Sequence, residues 1–196
     1  MSHFDAEYWN KRYDSADTHW DMGKVSPPLQ EYFDQLTNKE AAILIPGCGN
    51  AYEAHYLLNK GFSDVTLIDI SDKLIDKLWE QLGVAYEGKI RIINEDFFEL
   101  KGEYDLIVEQ TFFCALDPSL RKDYVHKVHE LLKPGGKLVG VLFNREFEGK
   151  SEPPFGGNKE EYIHLFSPLF KLTTMEPCYN SIAPRAGFEL FVIMQK

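Results

Sequence analysis

Short, continuous apolar runs alternate along this chain with stretches of helical period, and that alternation constrains the fold more than any other feature. Residues 41–45, 65–70, 90–93, 104–108 and 137–142 are each four to six residues long and rich in Ile, Leu and Val. Strands buried on both faces of a parallel sheet read this way, because helices cover both sides and leave no solvated face to alternate toward. Helical stretches fall between them at 52–60, 72–82 and 118–132, with Ser71 as a cap and Leu74, Ile75, Leu78 and Trp79 on one face of the second. Before the first strand, 5–14 and 29–36 read as helices, the latter opened by Pro27-Pro28. After the fifth, which follows the Lys133-Pro134-Gly135-Gly136 stop, come a helix at 158–166 and two strands at 170–175 and 188–194. These last two have no helix between them and predict an antiparallel hairpin at one edge. The expectation is an α/β chain with a doubly wound, mostly parallel sheet of seven strands.

The chain has 196 residues, enough for one domain with a full core, and no repeat or linker-like tract divides it. Its formal net charge is −10, which argues against nucleic acid or an anionic membrane surface as a main partner. No apolar run approaches the roughly 20 residues that span a bilayer, and residues 1–20 lack the apolar stretch of a secretory signal. Cys48, Cys114 and Cys178 are far apart and without close Cys/His spacing, so neither disulfides nor a metal site is expected, and a reducing, cytoplasmic setting follows. Oligomeric state is not legible. Aromatic residues make up 14% of the chain, many of them outside the strands.

In such a sheet, ligands bind beyond the carboxyl ends of the strands. The first strand ends in Gly47-Cys48-Gly49, which reads either as a turn that lets a ligand approach the backbone or as a plain tight turn. Asp69 ends the second strand 22 residues after Gly47, the place of a carboxylate that accepts from ribose hydroxyls; its other reading is a helix cap. The position of the third glycine of a dinucleotide fingerprint holds Tyr52, which disfavours a pyrophosphate ligand. Asp96 and Phe97 after the third strand could pair with and cover an adenine, or form an acidic turn over core rings. Glu109, Gln110 and Thr111 after the fourth are polar where a cofactor's tail would pass.

Several stretches, in order, resemble one family: WNKRY at 9–13, WDMG at 20–23, LIPGCG at 44–49, IDIS at 68–71, YDLIVEQTFFCALDP at 104–118, LLKPGG at 131–136 and PPF at 153–155. The chain is similar to the thiopurine S-methyltransferase superfamily of class I S-adenosylmethionine-dependent methyltransferases, with plant halide, thiocyanate and thiol methyltransferases most alike in these motifs. The resemblance implies the Rossmann-like class I methyltransferase fold, S-adenosyl-L-methionine as cofactor and a small-molecule acceptor. It implies cofactor contacts at Trp9, Tyr13, Trp20, Gly47, Gly49, Asp69, Asp96, Phe97 and Gln110. Tyr13 stands where relatives have Trp, Gln110 where they have Arg or Tyr, and Phe155 where halide-type relatives have Tyr. Arg185 aligns with an arginine at the family's substrate mouth, and could equally be a surface arginine of a hairpin loop.

The segmentation that follows has residues 1–28 covering the cofactor, 40–142 binding it, and 143–196 forming the acceptor side with the edge hairpin. Methyl transfer to a soft nucleophile such as a thiol, thiopurine, thiocyanate or halide needs alignment and a dry pocket, so no catalytic residue or metal is expected. Ser71, Cys48 and Cys114 receive no covalent role. Acceptor-pocket candidates are Arg185, Phe155, Phe113 and His19, the last able to take a thiol proton or merely incidental to its loop; Phe112 joins them on the acceptor side. Two other readings stay open: a nicotinamide-dependent oxidoreductase, and a non-catalytic S-adenosylmethionine-binding module.

Overall fold

The apolar runs pair into one seven-stranded sheet in the order β3-β2-β1-β4-β5-β7-β6. The strands are β1 Ile43–Pro46, β2 Val65–Asp69, β3 Ile90–Asn94, β4 Tyr104–Gln110, β5 Leu132–Phe143, β6 Lys171–Pro177 and β7 Glu189–Gln195. The computed structural model describes residues 4–147 and 149–196, so the first three residues of the expected covering segment lie outside the described residues. Strands β1 to β5 pair in parallel, and β7 runs antiparallel to both of its neighbours, β5 and β6. The late pair is therefore a hairpin folded back so that its second strand, rather than its first, joins the parallel sheet.

Helices α1 Ala6–Asp14, α2 Pro27–Asp34, α3 Tyr52–Asn59, α4 Asp72–Leu78, α5 Arg121–Leu131 and α6 Lys159–Phe166 complete the fold. Successive residues of β1 point to opposite faces. Ile43 and Ile45 join a core with Phe33 of α2, Leu57 of α3 and Leu78 of α4. Leu44 joins the opposite core with Tyr124 and Val128 of α5 and Phe166 of α6. Both faces are buried, which is why β1 reads as an unbroken apolar run. Among the described residues no helix is long and apolar enough to cross a membrane.

Two local expectations are corrected. Leu74, Ile75 and Leu78 are buried as the helical period requires, but Trp79 is 48% exposed. The helix widens into a π turn over Trp79–Gly83, and the indole lies over Gly83, where a Cβ would stand 2.2 Å from the ring. The Lys133-Pro134-Gly135-Gly136 segment is not a gap before a strand: β5 begins at Leu132, opposite Tyr104, and the register shifts between Tyr104 and Leu106 to absorb it.

The strand ends come level along one edge, since Ile68 pairs with Pro46, Asp69 with Asn94 and Gln110 with Val141. At the centre, Gly140 of β5 lies beside Glu109 of β4, and a Cβ on it would stand 2.3 Å from the Glu109 Cβ and 2.4 Å from its carbonyl oxygen. Gly140→Ala therefore should destabilise the protein by at least the 1–3 kcal/mol typical of overpacking, roughly, measured as a lower midpoint in urea.

Candidate active site

A cavity of about 480 Å³ opens over the level strand ends. Its floor is the turn after β1. Gly47 and Gly49 have φ of +54° and +50°, a region glycine enters without strain. A side chain on Gly47 would also strike Phe112, whose Cδ2 lies 2.2 Å from the place of a Cβ, so this turn is shaped by its neighbour as well as by its own dihedrals. Asp69 stands at the end of β2, half-buried, with its Oδ1 accepting from the Ser71 amide at 3.0 Å. Desolvation pushes its pKa up to about 6, while the amides of Ser71, Gly49 and Ile70 restrain the rise.

After β3 the two sequence-selected residues part company. Phe97 lines the cavity and packs edge-on to Phe112, with ring centres 5.2 Å apart. Asp96 is exposed and off the cavity wall, because its carboxylate turns back to accept from the Phe98 amide at 2.9 Å. Glu95 lines the wall instead.

After β4 the polar triplet also divides. Gln110 and Thr111 line the cavity, and the Oε1 of Gln110 is buried with no partner among the described residues. Glu109 is 1% exposed and points the other way. It accepts from the Phe112 and Phe113 amides at 2.8 and 2.9 Å and from the Tyr124 hydroxyl at 2.6 Å. Burial raises its pKa to about 7. Those bonds hold Thr111 at φ +63°, a strained value for a β-branched residue, and send Phe112 toward the cavity and Phe113 into the core against Tyr124 and Tyr162. Phe113, expected beside an acceptor, is therefore a packing residue. Phe155 is off the wall too: its amide donates to the Cys114 carbonyl at 2.7 Å and its ring meets Phe4, while Pro153 and Pro154 line the cavity.

The N-terminal segment lies across the opening. Trp20 is packed edge-on by Trp9 and Tyr13, with ring centres 5.5 and 5.8 Å away, and the Arg12 guanidinium sits 5.2 Å above it. Burial raises the Tyr13 hydroxyl's pKa well above its ordinary value. Helix α1 contributes no buried residue. Beyond those ring contacts its ties are polar: Asn10 donates to Asp72 at 2.6 Å and accepts from Ser71 at 2.6 Å, and Asp14 pairs with Lys73. Asp21 accepts from Asn50 and Tyr52, and the Ser26 amide donates to buried Glu53 at 3.0 Å.

Arg185 is buried rather than on the surface. It pairs with Glu189 at 3.3 Å, donates to the Trp20 carbonyl at 2.7 Å and lies 5.5 Å from the centre of the Phe143 ring. It thus fastens the C-terminal hairpin to the N-terminal segment. His19 lines the mouth, but its side chain is 91% exposed and paired with Asp17. Cys114 is buried on the wall with its thiol pKa pushed up to about 12. Asp21, Glu53, Arg12 and Arg145 are wall residues that the sequence reading did not select; Asp21 follows Trp20 within the WDMG stretch and Arg12 precedes Tyr13 within WNKRY, adjacencies that pointed to those two, whereas nothing pointed to Glu53 or Arg145.

The model of the thiopurine S-methyltransferase family matches residues 4–192. This chain belongs to that family. The probable thiol methyltransferase 2 of Arabidopsis thaliana is 29% identical over 96% of this chain and 84% of its own length. The thiocyanate methyltransferase 1 of Brassica oleracea is 30% identical over 92% and 81%. Among solved structures, the 1,6-didemethyltoxoflavin-N1-methyltransferase of Burkholderia thailandensis, bound to its substrate and S-adenosylhomocysteine, superposes with a TM-score of 0.75 at 20% identity, covering 97% of this chain and 85% of that one. The protein is a S-adenosylmethionine-dependent methyltransferase of class I fold. Its cavity fits that cofactor: a side-chain-free cradle, the half-buried Asp69 carboxylate at the end of β2 and an unpartnered carbonyl of Gln110 able to accept from a donor.

Two carboxyl groups should titrate far above the ordinary range, near 6 for Asp69 and near 7 for Glu109. The folded, cofactor-free protein then keeps protons that the unfolded chain has released, so this contribution to stability is full below the unfolded values and is lost as pH rises through about 6 to 7. Carboxyl carbon NMR of labelled protein should show both titrations; Asp69→Asn and Glu109→Gln should each delete one and flatten the decline.

Proposed function

We propose that this enzyme moves a methyl group from S-adenosylmethionine to a small soft nucleophile, a thiol or an anion such as thiocyanate or a halide. The observation that carries the reading is the wall of the acceptor half. There, Phe143, Phe147, Phe188, Pro153 and Pro154 form an apolar chamber, and the titratable groups nearby are cations, the Cys114 thiol, held protonated, and Asp117, whose carboxylate is taken up by the Ser119 amide and hydroxyl. A dry wall without a poised base suits an acceptor that is already nucleophilic, because the protein then supplies alignment and water exclusion. The similarity to thiol and thiocyanate methyltransferases supports the same class.

When bound, the cofactor supplies an electrophilic methyl on a sulfonium. Asp69 accepts from the ribose hydroxyls, Gly47 and Gly49 admit the chain of the cofactor against the backbone, and Phe97 covers the base. Gln110 offers its buried carbonyl to the cofactor's amino-acid end. Trp9, Tyr13 and Trp20 close over the site as residues 4–28 dock, and Arg185 holds that closure through the Trp20 carbonyl. Residues 143–196 form the acceptor side. Asp96 takes part only if its turn re-forms, since it now caps the Phe98 amide. His19 sits in solvent at the mouth, where it can receive a thiol proton on its way out. A reducing, cytoplasmic setting is part of the proposal, supported by three buried unpaired thiols.

In a screen of labelled S-adenosylmethionine against thiols, thiopurines, thiocyanate and iodide, transfer to sulfur or halide acceptors is the expected result; binding of cofactor without transfer to any of them would overturn the reading. Asp69→Ala should weaken S-adenosylhomocysteine binding by about tenfold or more in calorimetry, the loss expected for charge-assisted bonds. Trp20→Ala should weaken it as well and reduce the change in Trp fluorescence on binding to the part that Trp9 contributes.

A further inference from the structure

Four of the five arginines of this chain meet a carboxylate: Arg12 with Asp17, Arg91 with Asp64, Arg121 with Glu161 and Arg185 with Glu189. Arg145 has neither an ion pair nor a side-chain hydrogen bond to any described residue, in a chain with 31 acidic side chains. It stands two residues past the end of β5 and lines the cavity. Its backbone is fixed, since the Gly157 amide donates to the Arg145 carbonyl at 3.0 Å across an antiparallel bridge. Gly156 has no side chain where a Cβ would stand 1.9 Å from that same oxygen.

The guanidinium lies 4.5 Å from the centre of the Phe188 ring and 5.7 Å from that of Phe147. Lys150, also without an ion pair among the described residues, places its ammonium 5.5 Å from the centre of Phe147. A guanidinium over rings uses its faces for them and leaves its in-plane N–H fork free to donate, the geometry that matches a carboxylate. Two cations share one ring, and an anion between them relieves their repulsion. The described wall residues from 143–154 and 184–188 include no acid; Asp21, Glu53, Asp69 and Glu95 come from the N-terminal segment and the turns after β1 to β3, and Asp117, after β4, accepts from the Ser119 amide and hydroxyl.

We propose that the acceptor is a thiol that also carries a carboxylate, and that Arg145, with Lys150 beside it, determines specificity by holding that carboxylate at the rim of the cavity. The inference rests on the soft-sulfur reading above. A bare anion must bring its one nucleophilic atom to the methyl group and so gains little from a cation at the rim; an acceptor with a second charge, set apart from its sulfur, reaches both places. In the transfer, a lone pair of the thiolate forms the new sulfur–carbon bond while the bond from the methyl to the sulfonium breaks and its electron pair returns to that sulfur. The products are a thioether and neutral-sulfur S-adenosylhomocysteine, and the carboxylate is unchanged.

The test compares kcat/KM for 4-mercaptobenzoate and 4-methylbenzenethiol, at a pH where both are thiolates, in the wild type and in Arg145→Gln, Arg145→Lys and Lys150→Gln. The ratio between the two thiols is internal to each preparation and does not depend on the folded fraction. The wild type should favour the carboxylated thiol by about tenfold, the gain of one charge-assisted contact. Arg145→Gln should bring the ratio close to one, Lys150→Gln should lower it, and Arg145→Lys should keep part of it. A wild-type ratio of one or less, or a ratio that Arg145→Gln leaves unchanged, overturns the inference while transfer to both thiols still upholds the soft-sulfur reading. Transfer to neither overturns that reading and this inference with it.

Discussion

A single buried carboxylate sets the geometry on which the cavity depends. Glu109 gathers three donors from the residues that follow β4 and from α5, and in doing so it dictates which ring after the strand faces the cavity. Phe112 is thereby placed against Gly47, and the two turns fix one another. The arrangement needs Gly140 to be bare so that β5 can pass beside Glu109. Thr111 remains left-handed because its neighbours on both sides are already committed. Burying the carboxylate costs desolvation, visible in its raised pKa, and the bonds to two amides and a hydroxyl offset that cost.

The fold joins its two chain ends over the site. Because β7 enters the sheet beside β5, the loop that precedes it emerges next to the strand ends and carries Arg185 under the N-terminal segment. Glu189 neutralises part of that arginine's charge, so its main structural action is to hold a backbone carbonyl. In the proposed function the ends of β1 to β4 hold the cofactor, and the segments after β5 and before β7 face the acceptor.

The sheet was legible because strands buried on both faces leave a plain apolar signature, and the glycine turn and Asp69 were legible because their positions follow from chain connectivity. What sequence could not decide was side-chain direction within turns. Asp96 and Phe113 were both chosen from the correct turns, yet one carboxylate is drawn back by a local amide and one ring is turned inward by Glu109. Glu109 itself read as loop polarity, since nothing local shows that Tyr124, 15 residues later, will meet it. Arg145 was invisible for a different reason: what distinguishes it is the lack of an ion-pair partner among the described residues, a property of the fold and not of any motif.

Helix α1 sinks no side chain fully into the core; polar ties hold it, together with Tyr13, partly buried against the core, and the packing of Trp9 and Tyr13 on Trp20. Lifting such a segment uncovers those rings but no fully buried side chain of its own, so its release leaves the rest of the domain folded and carries a heat-capacity change set by the rings alone. Cofactor and product can then exchange by a local opening whose rate rises with ionic strength, as salt screens the ties near solvent.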